Sequence, residues 1–231
     1  MTESVSAELQ VVFEQERGAA RNTPARDADA MRTQVVRMYA RIEREQGAVI
    51  ASANLALACE RGCNYCCHQR VEVRPYEAFV LAEHIRLRMS TAQQADVKTK
   101  LAANRARIAP LAPLQHTQTG IPCALLVDGI CSVYEARPAA CRKYYSLSVD
   151  TCRTAFACPT EPLNGPLEDD ALRLAGNAVA LGYARGVEES GRDANRYELH
   201  AALLEALVNP KSAKRYRNGK KAFVQACSVG S

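Results

Sequence analysis

The chain has 231 residues, 48% of them hydrophobic and 24% charged, with a formal net charge of +5. That balance suits one compact domain and excludes disorder along the whole chain. No apolar run approaches the roughly 18 residues needed to span a bilayer, and residues 1–10 carry acids with no basic or apolar leader region, so neither a membrane protein nor an exported one is expected. Cysteine is over-represented at 10 residues, against 4 Phe and no Trp, which leaves the core to rest on Ala, Leu and Val.

Apolar spacing predicts an amphipathic helix over 4–17, with Val5, Leu9, Val12 and Phe13 on one side, followed by a loop over 18–26. A longer helix starts near Asp27 or Asp29 and buries Met31, Val35, Met38, Tyr39, Ile42 and Val49, running through 51–58 into the first cysteines. Residues 71–75, VEVRP, read as a brief strand or as an extended lead-in to Pro75 at the first position of a helix over 75–89. In that helix Tyr76, Phe79, Val80 and Ile85 face inward. Ser90 or Thr91 caps a helix over 91–108. Three prolines and a glycine make 109–122 a long loop. Residues 123–165 are turn-rich with short helical pieces. Two last helices cover 167–188, with Leu172, Val179 and Tyr183 inward, and 193–208. The tail from Lys211 to Lys221 reads as a solvated basic end, and a nucleic-acid partner is disfavoured.

The cysteines fall in two groups. Cys59, Cys63, Cys66 and Cys67 occupy nine positions, and Cys123, Cys131, Cys141, Cys152 and Cys158 follow; Cys227 stands apart. In a chain of this length without an export signal, clustered thiols point to metal or redox chemistry in a reducing cytoplasm rather than to a disulfide framework. Thiolates spaced by two or three residues can turn around one ion, and Gly62 permits the backbone such a turn requires. Cys59-x3-Cys63-x-Tyr65-Cys66 also fits the CxxxCxΦC signature of radical S-adenosylmethionine enzymes, but it follows a helical stretch rather than a barrel strand, and no recurring strands come after it. In the second group, Asp128-Gly129 makes a turn before Cys131, and Arg137-Pro138 starts a short helix that carries Cys141 inward. Arg137 and Arg142 are positioned to donate to sulfur or to turn carbonyls.

The combination resembles the YkgJ-type cysteine-cluster proteins, described as zinc- or iron-chelating. The resemblance rests on Cys59, Cys63, Cys66 and Cys67, then Pro122, Cys123, Leu125, Gly129, Cys131, Val133, Tyr134, Arg137, Pro138, Cys141 and Arg142, with Glu77 at the family's acidic position. It covers 59–158 and implies metal binding without a defined reaction.

The fold expected is mainly α, an irregular helical bundle with a cysteine-rich, metal-bound central loop region. The three parts are an N-terminal helical segment (1–58), the metal-binding region (59–158), and C-terminal helices with the basic tail (159–231), all in one domain. The expected ligands are Cys59, Cys63, Cys66, Cys67, Cys123, Cys131, Cys141 and Cys152. They exceed the four of one tetrahedral zinc and are equally suited to two ions or to an iron–sulfur cluster. His68 is either a further ligand or a surface side chain; His84, His116 and His200 read as ordinary. The metal ion, zinc or iron, is the partner these residues name; neither a catalytic residue nor a protein partner emerges.

Overall fold

The computed structural model describes residues 2–24, 26–161 and 165–229. Ala25, within the expected first loop, and 162–164, at the end of the expected turn-rich region, lie outside them, as does the side chain of Val5. The protein is mainly helical. The helices are α1 (Thr2–Arg21), α2 (Ala28–Ala53), α3 (Pro75–Arg88), α4 (Thr91–Ile108), α5 (Pro113–Thr119), α6 (Ala139–Arg142), α7 (Val149–Ala157), α8 (Asp170–Glu189), α9 (Leu199–Val208) and α10 (Pro210–Arg217). Among the described residues five short strands accompany them: β1 (Glu72–Val73), β2 (Leu126–Val127), β3 (Ile130–Cys131), β4 (Arg196–Glu198) and β5 (Ser228–Val229). β1, β4 and β5 form one antiparallel sheet, and β2 and β3 a separate hairpin. Among the described residues no helix is long and apolar enough to cross a membrane.

Local chemistry accounts for most boundaries. Asp27 caps α2 by accepting from the Ala30 N–H at 2.9 Å, and Ser90 caps α4 by accepting from Gln93. Pro75 begins α3 after the β1 lead-in, so both readings of VEVRP hold. Four boundaries differ from the sequence reading. The first helix continues through 18–21, because the alanines there propagate it. α2 stops at Ala53, where Asn54 adopts a left-handed conformation (φ 49°), so Cys59 sits on irregular chain beyond the helix. The expected 109–122 loop contains α5, opened by Pro113 and closed by Gly120 in the left-handed region (φ 63°). The last helix expected over 193–208 begins instead at Leu199, behind β4.

α1 and α2 pack on α8. The α1–α8 contact is close because Gly182 and Gly186 present bare backbone: a Cβ at either would run into the carbonyls of Phe13 and Arg17. α3 and α4 pack on α9. One hydrophobic cluster joins Met38 and Ile42 of α2, Leu81 and Ile85 of α3, Val179 and Tyr183 of α8, and Leu203 of α9. The few aromatics are concentrated there: Tyr183, Tyr197 and Phe223 are among the largest fully buried side chains, so the core is not left to aliphatic residues alone. Tyr76 meets Tyr183 edge-on at 5.0 Å, and Tyr197 meets Phe223 at 5.1 Å.

The basic tail is not simply a solvated end. The Glu205 carboxylate is fully buried and accepts from the N–H groups of Val224, Gln225 and Ala226 at 2.9, 2.8 and 3.1 Å, and from Arg215 at 3.0 Å. Asp193 holds the Ala222 N–H at 2.7 Å. Lys211, Lys214, Lys220 and Lys221 remain exposed around this anchored segment.

Candidate metal centre

The two cysteine groups are brought together by hydrogen bonds between segments far apart in sequence. The Ala58 N–H donates to the Ser146 carbonyl at 2.9 Å, and the Cys123 N–H to the Cys67 carbonyl at 2.8 Å. The Asn64 amide reaches the Gly129 carbonyl at 3.3 Å. Gly129 belongs to the two-residue turn joining β2 to β3, in which Asp128 (φ 50°) and Gly129 (φ 76°) both take the left-handed angles that an Asp-Gly hairpin turn favours. The tip of the second group is thereby docked on the first. Gly62 has φ 99°, so the expectation that this position needs glycine is met.

Cys66 and Cys67 lie in a 3-10 turn at Tyr65–His68. Together with Cys63, Cys123, Cys131 and Cys141 they line one cavity of about 310 Å³. Cys131 is on β3 and Cys141 on α6, directly after the Pro138 that begins that helix. Cys59 and Cys152 are outside this cavity. The Cys59 sulfur accepts from the Ser146 N–H at 3.3 Å, and α7, which carries Cys152, packs on the 3-10 turn. These eight cysteines are half-buried thiols with no disulfide among them, whereas Cys158 and Cys227 are exposed.

Burial pushes five of these thiols toward their neutral form. It lifts Cys59 and Cys63, raises Cys123 to about 11, and takes Cys131 and Cys141 upward as well. Cys66 is raised first by its hydrogen bond with Cys67 and then by burial. Arg137 opposes this rise at Cys66, Cys131 and Cys141. The mutual electrostatics also group the sulfurs: Cys59 senses Cys63, Cys66 and Cys152, whereas Cys141 senses Cys123, Cys66 and Cys131. Cys66 stands between the two sets.

The donor chemistry fits a thiophilic ion, because six sulfurs face one cavity with no competing disulfide. As they stand, no three His, Cys, Asp or Glu side chains among the described residues form a ready-made metal-holding group. An ion held by these thiols would have to draw them together and displace their protons.

His68 points elsewhere. Its Nδ1 lies 3.1 Å from the Asn64 carbonyl, its ring packs edge-on against Phe156 at 4.8 Å, and it lines a separate cavity of about 70 Å³. His200, read from sequence as ordinary, is buried and supports the site. Its Nε2 accepts from the Ala124 N–H at 3.3 Å, so Nδ1 carries the proton and donates to Glu198 at 2.6 Å. Glu77 is also supporting rather than ligating. Its buried carboxylate accepts from the Arg74 N–H at 3.0 Å and the Ala139 N–H at 2.7 Å, which ties the start of α3 to the start of the Cys141 helix. Arg142 holds the Glu135 carbonyl at 2.6 Å, pairs with Glu43 and lies over the Tyr39 ring. Ser146, Asn64 and the Glu198–His200 pair carry no sequence signal of their own, because their partners are 65 to 87 residues away or reached only through the fold.

The fold and its sulfur-lined cavity define a helical protein with a thiol-rich centre. Residues 58–159 match the family model CxxCxxCC, whose description is "Putative zinc- or iron-chelating domain", which bears out the cysteine-cluster resemblance and supports metal binding. No curated protein and no solved structure matches the chain.

Proposed function

We propose that the protein chelates zinc or iron through two overlapping thiolate sets. The outer set is Cys59, Cys63, Cys66 and Cys152. The inner set is Cys67, Cys123, Cys131 and Cys141. The observation that carries this reading is the docking of the first cysteine run on the second around one cavity, with Cys59 and Cys152 outside its lining but Cys59 close enough to Cys63, Cys66 and Cys152 to sense their charge. Successive residues of the 3-10 turn leave the backbone about 120° apart, which favours placing Cys66 with the outer set and Cys67 with the inner one, the two sets meeting at their hydrogen-bonded sulfurs. A reducing compartment, the cytoplasm, keeps the cluster thiols reduced, and the metal ion is the partner the site requires. When bound, the ion supplies cross-linking of the central loops, with Lewis acidity or electron transfer added if a coordination position stays open or the metal is iron.

Metal analysis of anaerobically purified protein tests the proposal. About two ions per chain are expected. Cys63→Ser should lose the outer ion, and Cys67→Ser and Cys141→Ser the inner one, because a hydroxyl does not replace a thiolate. Cys227→Ser should retain both. Less than one ion per chain, or full retention in the Cys63, Cys67 and Cys141 variants, overturns the assignment. A brown protein with acid-labile sulfide would make the centre an iron–sulfur cluster, and a colourless one a zinc site.

A further inference from the structure

Four cationic side chains, Arg61, Arg70, Arg137 and Lys143, line the cysteine cavity against the single carboxylate of Glu72. Two of them are already engaged. Arg70 pairs with Glu72, and Lys143 donates to the Asn177 amide oxygen at 2.6 Å. Arg61 lies at the exposed rim. Arg137 differs from all three. It is half-buried, its Nε is buried without a hydrogen-bond partner, and no carboxylate among the described residues pairs with it. Its guanidinium is fixed by stacking 3.9 Å from the centre of the Tyr134 ring. The other arginine of the same box, Arg142, also has a buried Nε without a partner, but a carbonyl, a carboxylate and a ring hold the rest of its guanidinium. A planar cation kept rigid with its donors unspent, on the wall of a cavity of six thiols, lacks an anion that only the loaded site would provide.

We propose that Arg137, held by Tyr134, is the positioning and charge-compensating residue of the inner set, donating to its thiolates once an ion is bound. This rests on the thiolate reading above. Four thiolates around a divalent ion carry a net double negative charge, and a half-buried site of that charge needs a neighbouring cation. A fork of N–H donors on a stacked plane supplies charge and direction together.

The test uses the full chain, loaded with zinc for affinity and with cobalt(II) for spectroscopy. Chelator competition on Arg137→Gln should show zinc affinity reduced about 10- to 100-fold, the range expected when a supporting partner of a metal ligand is lost. Arg137→Lys restores the charge without the fork and should recover part of it; Tyr134→Leu, which frees the guanidinium, should lose several-fold. A structural role would not move the cobalt spectrum. With a donor to sulfur removed, the sulfur electrons are less stabilised, so the sulfur-to-cobalt charge-transfer band should shift to lower energy in Arg137→Gln and partly return in Arg137→Lys. An unchanged affinity and spectrum in Arg137→Gln overturns the proposal. So does a weakened Arg137→Gln whose band stays at the wild-type position, because that pattern is one of fold damage. If Arg137→Gln fails to fold, the Lys and Tyr134 variants decide the matter. The wild-type metal content separates the two readings: no bound metal removes the thiolate centre and this proposal with it, whereas bound metal with an indifferent Arg137 removes this proposal alone.

Discussion

At the scale of single residues, the supporting groups around the cysteines matter as much as the sulfurs, and Glu77 is the clearest case. One buried carboxylate satisfies the N–H just before α3 and an N–H at the start of α6, so the position of Cys141 depends on a side chain 64 residues away. Glu77→Gln keeps the shape but offers one acceptor oxygen where two are used. The expected loss is about 1–3 kcal/mol, the cost of leaving a buried N–H unsatisfied. Burial raises the carboxyl above its ordinary range, so the folded state binds this proton more tightly than the unfolded one. Its contribution is therefore fullest in acid and declines as pH rises through the folded value. The deficit of the Gln variant should be largest in acid and shrink toward neutral pH. Denaturation midpoints of the two proteins, compared across pH, check this, and a deficit that grows with pH would contradict it. The sequence marked Glu77 through family resemblance without revealing this role. It marked the cysteines directly, since thiol spacing is local. It was silent on Ser146 and Asn64 and read His200 as ordinary, because nothing near them in the chain hints at partners so distant.

At the scale of elements, helices with caps were legible and close approaches were not. Ser90 and Asp27 announce their helices by the ordinary capping chemistry, and the inward faces of α2 and α8 follow from apolar spacing. α5 carried its own signals, Pro113 and Gly120, but they were outweighed by the proline content of the surrounding stretch. The glycines of α8 look like propensity defects in the sequence, and only the packing shows their purpose. Gly182 and Gly186 lie one turn apart and let α1 descend onto the α8 backbone. Gly186→Ala tests which effect wins. Alanine favours an isolated helix by about 1 kcal/mol. Here its Cβ meets the Arg17 carbonyl and the Ala20 side chain, neither of which can swing aside without moving α1. The net result expected is destabilisation of about 1–3 kcal/mol, measured by chemical denaturation, with α1 amides exchanging faster. A stabilised variant would show that α1 packs loosely.

At the scale of the whole molecule, the apolar core and the thiol centre are joined but separately supported. α1, α2 and α8 pack on each other, and α3 and α4 each pack on α9, through contacts that involve no cysteine. The second cysteine group leans on this frame through Cys123 and Cys131, which pack against the core, and through the backbone bonds at His200 and Glu77. The segments between Asn54 and Gln69 and between Cys123 and Ser148 have little regular structure of their own, and the longest α-helix within them is the four-residue α6. Helical periodicity has no purchase on such chain, which is why the arrangement of the centre was less legible than the frame around it. The thermodynamic consequence is an uneven dependence on metal. A structural thiolate site contributes on the order of 10 kcal/mol of apparent binding energy, and that energy acts where the ligands are. Chelation should therefore raise amide exchange at 59–69 and 123–152 by orders of magnitude while α8 and α9 keep most of their protection. Hydrogen exchange of the metal-loaded and metal-stripped protein measures this directly. Because burial holds the Cys123 and Cys141 thiols neutral when no ion is present, loading has to release protons, and metal uptake should strengthen as pH rises from mildly acidic to mildly basic. Equal protection in both states would mean that the apolar frame alone fixes the loops, and the thiol cavity would then be a preformed site for a working metal rather than a cross-link that completes the fold.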